Sequence, residues 1–337
     1  MRHISLNPGR SAYIIMILIL SLRSCEKEVD PSNLILSSED PISYIYWSES
    51  SDKILYSIED PSTINGLSVS LNIVDISTKE TRKVIDFNNH AGYRIYLNNN
   101  KIYYTDYLDQ ANIKLFSLDI SGQNNELVRD SLGYVQHFSK KYLVYLKNQV
   151  TSCTTVLYDL VTGSEKTITT VSNNFPLSIS PDGNLLMLGK SDNLDGIPIL
   201  VNTMTGDITG LILSYYSSAC GYYWKEEDVY AMYLDVPECY IKNMRTGEIL
   251  ISSEDINNEC SCTFSFSPSG QYIYHVKEVR TEQGKLEKSY LNLVNSGTRE
   301  KIVIDLLDKI VYGVKFSPDE TQIAFIGNSN KIYILNL

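Results

Sequence analysis

Apolar and polar positions alternate along the chain in short runs that are separated by turns. The clearest example is residues 316–325, FSPDETQIAF, and related phrases occur at residues 264–274 and 179–187. Proline fixes φ at the first central position of a turn, and Asp and Gly accept the conformations that follow. Alternation on both sides of such a turn is typical of half-buried strands. Each phrase therefore predicts a strand, a tight turn and a second strand.

The same unit recurs throughout the chain. If the last apolar residue before each turn is taken as an anchor, the anchors are about 45 residues apart. Each anchor is followed by a second and a third apolar run, and then, in all units but the last, by a fourth. Four short strands per period of this length are typical of a propeller blade. The anchors are Trp47, Leu97, Phe138, Ile179, Trp224, Phe266 and Phe316.

This periodicity predicts an all-β fold, a seven-bladed β-propeller. Six blades are the alternative, if Trp47 or Leu97 begins an irregular segment instead of a blade. The last unit has only three strands, whereas residues 33–40, NLILSSED, closely match residues 248–255, EILISSED, the predicted fourth strand of the fifth unit. The N-terminal strand is therefore expected to complete the last blade, which would close the ring and protect its open edge. The propeller would span residues 33–337.

The N-terminal region has a different pattern. Residues 13–22 are almost entirely apolar and follow two arginines, a run that is too short for a membrane span but suits the core of a signal peptide. Residues 22–25, LRSC, resemble the lipoprotein box of bacteria. The resemblance implies a signal peptide at residues 1–24, a lipid on Cys25 and a tether at residues 25–32. An ordinary secretory signal followed by an incidental cysteine is the alternative.

The Ser-Pro-Asp-Gly phrases resemble the repeats of TolB-like and WD-repeat-like propellers of the bacterial envelope. The resemblance covers residues 34–337 and is clear in units four, six and seven. It implies a propeller with a binding role, because the motif builds a turn and carries no chemistry. Together with the lipoprotein box it implies a lipid-anchored envelope protein, with the outer membrane as the expected site and its periplasmic or surface face left open.

Composition and motifs narrow the function further. The formal net charge of −11 argues against nucleic acid as a partner. The chain has no Gly-x-Ser-x-Gly elbow. His90, His137 and His275 fall in different units and lack the spacing of metal ligands. We therefore expect a protein that is not an enzyme and that needs neither a metal nor a cofactor.

The cysteines allow more than one interpretation. Cys239 lies at the start of a predicted third strand, and Cys260 and Cys262 lie near the start of the next blade. In an exported protein, a disulfide between Cys239 and Cys260 or Cys262 would join neighbouring blades. Buried free thiols and a cysteine-rich metal site are the alternatives.

Two sets of residues are candidates for binding. Side chains alternate along a strand, so the positions one and three before each anchor should face the propeller axis. These positions carry cations, a histidine and tyrosines. In an acidic protein, such a set favours the binding of a small anion or of a partner's carboxylate. A solvated channel without a ligand is the alternative. The channel candidates are Tyr44, Tyr46, Arg94, Tyr96, His137, Tyr223 and Lys315.

The second set is Tyr215 and Tyr216, on the predicted rim of blade 5. Tyrosine clusters are common at interfaces because the ring supplies area and the hydroxyl a polar tip. The sequence thus predicts a non-catalytic envelope lipoprotein that is a binding platform for another envelope protein, a glycan or a peptide. A sensor or carrier of a small ligand in the channel is the alternative. A hydrolase or lyase that uses His137 is a third and less favoured class.

Overall fold

The computed structural model describes residues 26–28, 33–60, 68–87, 94–98, 100–107, 113–149, 152–168, 174–190, 198–211, 219–225, 227–235, 238–252, 265–306, 311–328 and 330–337. The predictions on the signal peptide, on Cys25, on Tyr215 and Tyr216 and on Cys260 and Cys262 lie outside these residues. Cys239 belongs to a described strand, but its side chain is not among those described. The lipid, the rim site and the disulfide therefore stay predictions.

The described residues form 29 strands in seven sheets. The first two are β1 (Glu26–Glu28) and β2 (Leu34–Ser37). Blades 1 to 3 follow as β3 (Ile42–Trp47), β4 (Lys53–Asp60), β5 (Ser68–Asp75) and β6 (Thr81–Phe87); β7 (Ile95–Asn98), β8 (Lys101–Tyr107), β9 (Ile113–Asp119) and β10 (Glu126–Leu132); and β11 (Tyr134–Phe138), β12 (Tyr142–Gln149), β13 (Ser152–Asp159) and β14 (Glu165–Ile168).

The other four blades repeat this arrangement, with three strands from the C-terminal region in the last. Blades 4 and 5 are β15 (Asn174–Ile179), β16 (Leu185–Lys190), β17 (Ile199–Asn202) and β18 (Ile208–Gly210); and β19 (Ala219–Lys225), β20 (Asp228–Asp235), β21 (Glu238–Asn243) and β22 (Ile249–Ser252). Blades 6 and 7 are β23 (Ser265–Phe266), β24 (Tyr272–Arg280), β25 (Leu286–Asn295) and β26 (Lys301–Leu306); and β27 (Val311–Phe316), β28 (Gln322–Gly327) and β29 (Lys331–Asn336).

The N-terminal strand closes the ring as predicted. β2 pairs antiparallel with β29, with Leu34 opposite Tyr333 and Ser37 opposite Lys331, and so becomes the outer strand of blade 7. Blades 1 and 2 are each complete sheets of four strands. The prediction of seven blades is therefore confirmed, and the six-bladed alternative is wrong.

One strand was not predicted. Glu26–Glu28, part of the predicted tether, forms β1, which pairs in parallel with β26 on the outer edge of blade 6, Glu26 lying opposite Val303. An outer strand offers unpaired backbone N–H and C=O groups to any extended segment. Since the hydrogen bonds of strand pairing are made by backbone groups, which every residue except proline supplies in full, the charged sequence of the segment gives no sign of this pairing.

The core lies between the blades. Seven apolar clusters among the described residues each join two neighbouring blades, including blades 7 and 1. In the cluster of blades 7 and 1, Ile45 and Trp47 pack with Ile326 and Ile332. The Trp47 indole Nε1 also donates a hydrogen bond to the Lys315 carbonyl at 3.0 Å. The anchors and the apolar positions before them thus hold the ring together.

The Ser-Pro-Asp-Gly phrase builds the turn between the first and second strands. In blade 4 the Ser180 hydroxyl donates to Asp182 Oδ1 at 2.6 Å, and Gly183 has a φ of +80°. This turn contacts the turn between the third and fourth strands, because the Thr203 N–H donates to the Asn184 carbonyl at 2.8 Å. Both kinds of turn therefore lie on one face of the propeller, which we call the turn face. No helix in the described part of the chain is long and apolar enough to cross a membrane.

Candidate functional site

A cavity opens in the channel at blades 1, 2 and 3. Its volume is about 570 Å³, and the innermost strands β3, β7 and β11 form its wall. This volume falls within the range of small-molecule sites in proteins. The lining residues are Tyr44, Tyr46, Arg94, Ile95, Tyr96, Gln136, His137 and Phe138.

Five of the seven predicted channel residues line this cavity, and Tyr223 and Lys315 do not. The Tyr223 ring packs against Phe266, with 5.4 Å between the ring centroids, and burial raises the pKa of Tyr223 to about 12. Lys315 is exposed on β27, although the protein around it is dense enough to lower the pKa of its ammonium group by desolvation. The structure thus brings five of the predicted residues together and places the other two in different sectors of the ring.

Arg94 supplies the positive charge of the cavity. Its backbone is fixed at the start of β7, because its N–H donates to the Thr105 hydroxyl at 3.0 Å and its carbonyl accepts from the Thr105 N–H at 3.1 Å. The guanidinium donates one hydrogen bond, from Nη1 to the Gln136 carbonyl at 2.9 Å. No described carboxylate forms an ion pair with Arg94. The exposed guanidinium therefore keeps donors for a ligand.

His137 lies deeper in the wall and is held neutral. Burial lowers the pKa of its imidazole, the contact with the Pro176 carbonyl opposes this shift, and the charge of Arg94 adds to it. The Nε2 atom is 3.3 Å from that carbonyl. Since a carbonyl oxygen only accepts, Nε2 carries the proton and Nδ1 is an acceptor in the neutral ring.

The tyrosines form the aromatic part of the wall. The Tyr96 ring stacks on Phe138 with 5.1 Å between centroids and 13° between ring planes. Burial, with a smaller effect of the Glu49 charge, raises the pKa of Tyr96 to about 12. Tyr44 is 53% exposed and leaves its ring accessible from solvent. The wall therefore offers phenol hydroxyls and aromatic faces to a ligand.

The lining residues include one arginine and one histidine but neither Asp nor Glu. In a chain with a net charge of −11, this makes the cavity a locally positive and aromatic surface. A site of this composition suits a carboxylate or another anionic group next to a planar or apolar group.

The sequence did not predict three lining residues: Ile95, Gln136 and Phe138. Strict alternation would turn Gln136 away from the axis. In β11, however, the register shifts between Val135 and His137, so Gln136 has no partner on β12, and both Gln136 and His137 reach the cavity. Such a β-bulge breaks the two-residue period. The polar Gln136 at a position expected to be apolar is the available signal in the sequence.

Titratable side chains do not gather elsewhere into a metal site within the described part of the chain. No group of three or more His, Cys, Asp or Glu side chains in that part is arranged to hold a metal ion. The described contact of His137 is with a backbone carbonyl, and its partner is neither a carboxylate nor a tyrosine.

Comparison with known proteins gives the fold. No family model and no curated protein matches the chain. A solved oligogalacturonate lyase in complex with manganese is 14% identical, with 91% of each chain covered and a TM-score of 0.60. A prolyl endopeptidase is 10% identical, with 87% of this chain and 47% of that chain covered and a TM-score of 0.57.

TolB from Acinetobacter baumannii is also similar, at 17% identity and a TM-score of 0.47. The match covers 77% of this chain and 64% of TolB, so this chain spans less than two thirds of that protein. Identities this low establish the fold alone, a β-propeller. The lyase and the peptidase, whose TM-scores exceed 0.5, confirm the predicted propeller at that level.

Proposed function

We propose that the protein is a non-catalytic binding platform of the bacterial envelope, and that it binds its partner in the channel cavity of blades 1 to 3. The observation that carries this proposal is the cavity itself. One guanidinium, one neutral imidazole and three tyrosines from three neighbouring blades converge on a volume of about 570 Å³. Aromatic and arginine side chains are the residues that most often dominate binding energy at interfaces.

The partner we favour is another envelope protein that inserts a segment with a carboxylate into the cavity. Tyr44 is more than half exposed, so the cavity is accessible to a chain that enters from outside. Arg94 would bind the carboxylate, and the ring faces of Tyr44 and Tyr96 would pack against the neighbouring group. A glycan or a free peptide with an acidic group would satisfy the same contacts.

A sensor or carrier of a small ligand is the second candidate. It would be favoured by an enclosed polar pocket that combines Arg94, His137 and Lys315. Arg94 and His137 line the cavity, but Lys315 does not, and Tyr44 is open to solvent. These positions favour an inserted partner segment over an enclosed small molecule.

The lyase and the peptidase among the similar structures raise the question of catalysis. General-base catalysis needs a proton-accepting group within reach of the substrate. It also needs neighbouring groups that bring the pKa of that group close to the working pH. His137 has an acceptor at Nδ1, but its Nε2 contacts the Pro176 carbonyl, and none of the residues that line the cavity is a carboxylate that could orient the imidazole or stabilise its protonated form. This arrangement supports binding in preference to proton transfer.

The envelope location rests on the LRSC box of residues 22–25 and on the apolar run that precedes it. The lipid on Cys25 would hold the propeller at a membrane, with the outer membrane as the proposed site. Incorporation of radiolabelled palmitate into the protein, and its loss in Cys25→Ala, would test this part separately from the binding site.

Chemical crosslinking and affinity purification from native membranes test the binding role. The full-length protein is compared with Arg94→Ala and with Arg82→Ala. Arg82 is a matched control, because it also donates to a carbonyl of the next blade, Ile120 at 2.9 Å, but lies on an outer strand away from the cavity. We expect one dominant envelope partner that Arg94→Ala loses and Arg82→Ala retains. A partner that is still recovered with both variants would contradict the cavity as the binding site. The absence of a specific partner from every sample would contradict the proposed role as a binding platform.

A further inference from the structure

One outer strand of the propeller differs from the others in its exposed edge. β26 has six residues, and all six, from Lys301 to Leu306, pair with β25 in an unbroken register. Among the outer strands that the structure describes, β2, β6, β10 and β22 each have a register shift, and β14 and β18 have only four and three residues. Bulges and short length protect an edge against the addition of another strand. The edge of β26 therefore has neither of these protections.

A strand does occupy this edge, but it is short and its residue types suit it poorly. β1 pairs with β26 over three residues, Glu26 to Glu28, opposite Val303 to Asp305. Glutamate and lysine are depleted in strands, and parallel pairing is slightly less stable per residue than antiparallel pairing. The presence of β1 on β26 shows that the edge accepts an added strand, and the residues of β1 indicate that the pairing is weak.

Asp305 gives the edge a chemical preference. Its Oδ2 forms an ion pair with the Lys288 Nζ, and its side chain is 16% exposed. The other oxygen, Oδ1, is buried and has no hydrogen-bond partner among the described residues. A buried acceptor without a donor costs free energy, and the residue of β1 opposite Asp305 is Glu28, a residue type without a side-chain donor when ionised. A lysine or arginine at that place in an added strand would supply the donor, because opposite residues on paired strands carry their side chains on the same face.

The neighbouring positions of the edge are apolar. Ile304 is buried in the cluster of blades 6 and 7, and Ile302 and Leu34 of β2 are partly buried and pack against the same cluster. Because side chains alternate along a strand, an added strand with an apolar residue opposite Ile304 would present it to this cluster and a basic residue one place later to Asp305. In β1, Lys27 is the residue opposite Ile304. β1 thus carries charged residues where the edge favours an apolar residue followed by a base.

We propose that the outer edge of β26 is a strand-addition site for an extended segment of a partner protein. The segment runs parallel to β26, with apolar residues opposite Ile302 and Ile304 and a lysine or arginine opposite Asp305. β1 is a weak occupant, which such a segment displaces. Main-chain hydrogen bonds supply the affinity in this mode of recognition, and side chains at alternating positions supply the specificity. The proposal depends neither on the channel site nor on a lipid at Cys25, so a failure of either would leave it standing.

The preference of the edge is tested first within the full-length protein, where a strand at residues 26–28 pairs at a high effective concentration. One variant combines Glu26→Thr, Lys27→Val and Glu28→Arg, which places the base opposite Asp305. Its control combines Glu26→Arg, Lys27→Val and Glu28→Thr, which has the same composition but places the base opposite Val303. Hydrogen–deuterium exchange followed by mass spectrometry measures the backbone amides of β26. We expect exchange that is about fivefold slower in the first variant than in the control.

The second measurement adds the strand as a separate peptide. A fluorescein-labelled probe, Thr-Val-Thr-Val-Arg-Thr, matches the six residues of β26 with its arginine opposite Asp305, and a control peptide has glutamate in place of arginine. Fluorescence anisotropy with the unsubstituted protein should show about tenfold tighter binding of the arginine peptide. The variant with the base opposite Asp305 should weaken that binding about tenfold, because its own strand competes for the edge.

Equal exchange in the two variants would overturn the role of Asp305 in selecting the strand. No binding of the arginine peptide up to millimolar concentration would overturn the strand-addition site. Equal binding of that peptide to the unsubstituted protein and to the variant with the base opposite Asp305 would also overturn it, because the peptide would then bind elsewhere on the molecule.

Discussion

Burial holds two histidines of this propeller in the neutral form. His137 lies in the wall of the cavity, and His275 lies in blade 6 with a side chain that is 1% exposed. Burial, with a smaller contribution from the charge of Lys277, lowers the pKa of His275 to about 4. The Asn292 amide lies 3.0 Å from its Nε2 atom. Protonation of His275 would place a charge in a packed sheet.

His275 therefore makes stability depend on pH. Because its pKa is lowered in the folded state, its contribution is fully present above the unfolded value of 6.5 and is lost as the pH falls below that value. Between about pH 7 and pH 5 we expect a loss of about 2 kcal/mol from this residue. Urea denaturation at both pH values should show a smaller loss for His275→Gln than for the unsubstituted protein. An identical loss in both proteins would contradict the neutral, buried imidazole.

Gly183 shows how a turn residue also serves the packing of blades. Its φ of +80° suits glycine, and a Cβ at this position would lie 2.8 Å from the Ser139 Oγ of blade 3. Gly206 has a similar φ of +82°, but a Cβ there would have no neighbour within 4 Å. Gly206→Ala thus reports the backbone strain alone, and Gly183→Ala reports the strain and the contact between blades.

We expect Gly206→Ala to lower the free energy of unfolding by about 1 kcal/mol and Gly183→Ala to lower it by about 2–3 kcal/mol. Chemical denaturation of both variants measures the two values. Equal losses would show that blade 3 adjusts to the added methyl group and that the close approach of Gly183 is not a constraint.

At the level of strands, the ring is closed by β2. Leu34 packs against the cluster of blades 6 and 7, and Leu36 packs against the cluster of blades 7 and 1. The Ser38 N–H donates to the Asn330 carbonyl at 2.8 Å, directly after the strand. The outer strand of blade 7 is therefore joined to the core by both its backbone and its side chains.

Leu36→Asp should weaken this closure, because it places a charge against an apolar cluster. We expect a loss of about 2 kcal/mol in the free energy of unfolding. Ile208→Asp is the matched control, since Ile208 begins the outer strand of blade 4 and is 50% exposed; its effect should stay within about 0.5 kcal/mol. Comparable losses in the two variants would argue that β2 contributes no more than an ordinary outer-strand position.

The sequence predicted these strands well because a repeat is visible several times over. The anchors before each turn identified the innermost strands, and the similarity of residues 33–40 to residues 248–255 identified β2. The sequence did not predict β1, because strand pairing at an outer edge uses backbone groups that almost any sequence supplies. The sequence did not predict the β-bulges either. Register shifts occur in the innermost strands of blades 1, 3, 4, 5 and 7.

At the scale of the whole molecule, the closure of seven blades into a ring has a functional consequence. Residues that are distant in the chain, such as Tyr44, Arg94 and His137, line one cavity because three blades bring their innermost strands to the same axis. Alternation along each strand predicted five of the side chains that line the cavity and missed Ile95, Gln136 and Phe138. It did not predict which blades share a cavity, because that depends on side-chain size around the whole ring.

The most direct test of the account is a photo-crosslink from inside the cavity. Tyr44 is replaced by p-benzoyl-phenylalanine in the full-length protein, and native membranes are irradiated; the same replacement at Tyr134, which is 46% exposed and outside the cavity lining, is the control. We expect one dominant adduct from residue 44 that is lost in Arg94→Ala, kept in Arg82→Ala and absent from residue 134. No adduct from residue 44, or the same adduct from both positions, would contradict a binding site in the channel.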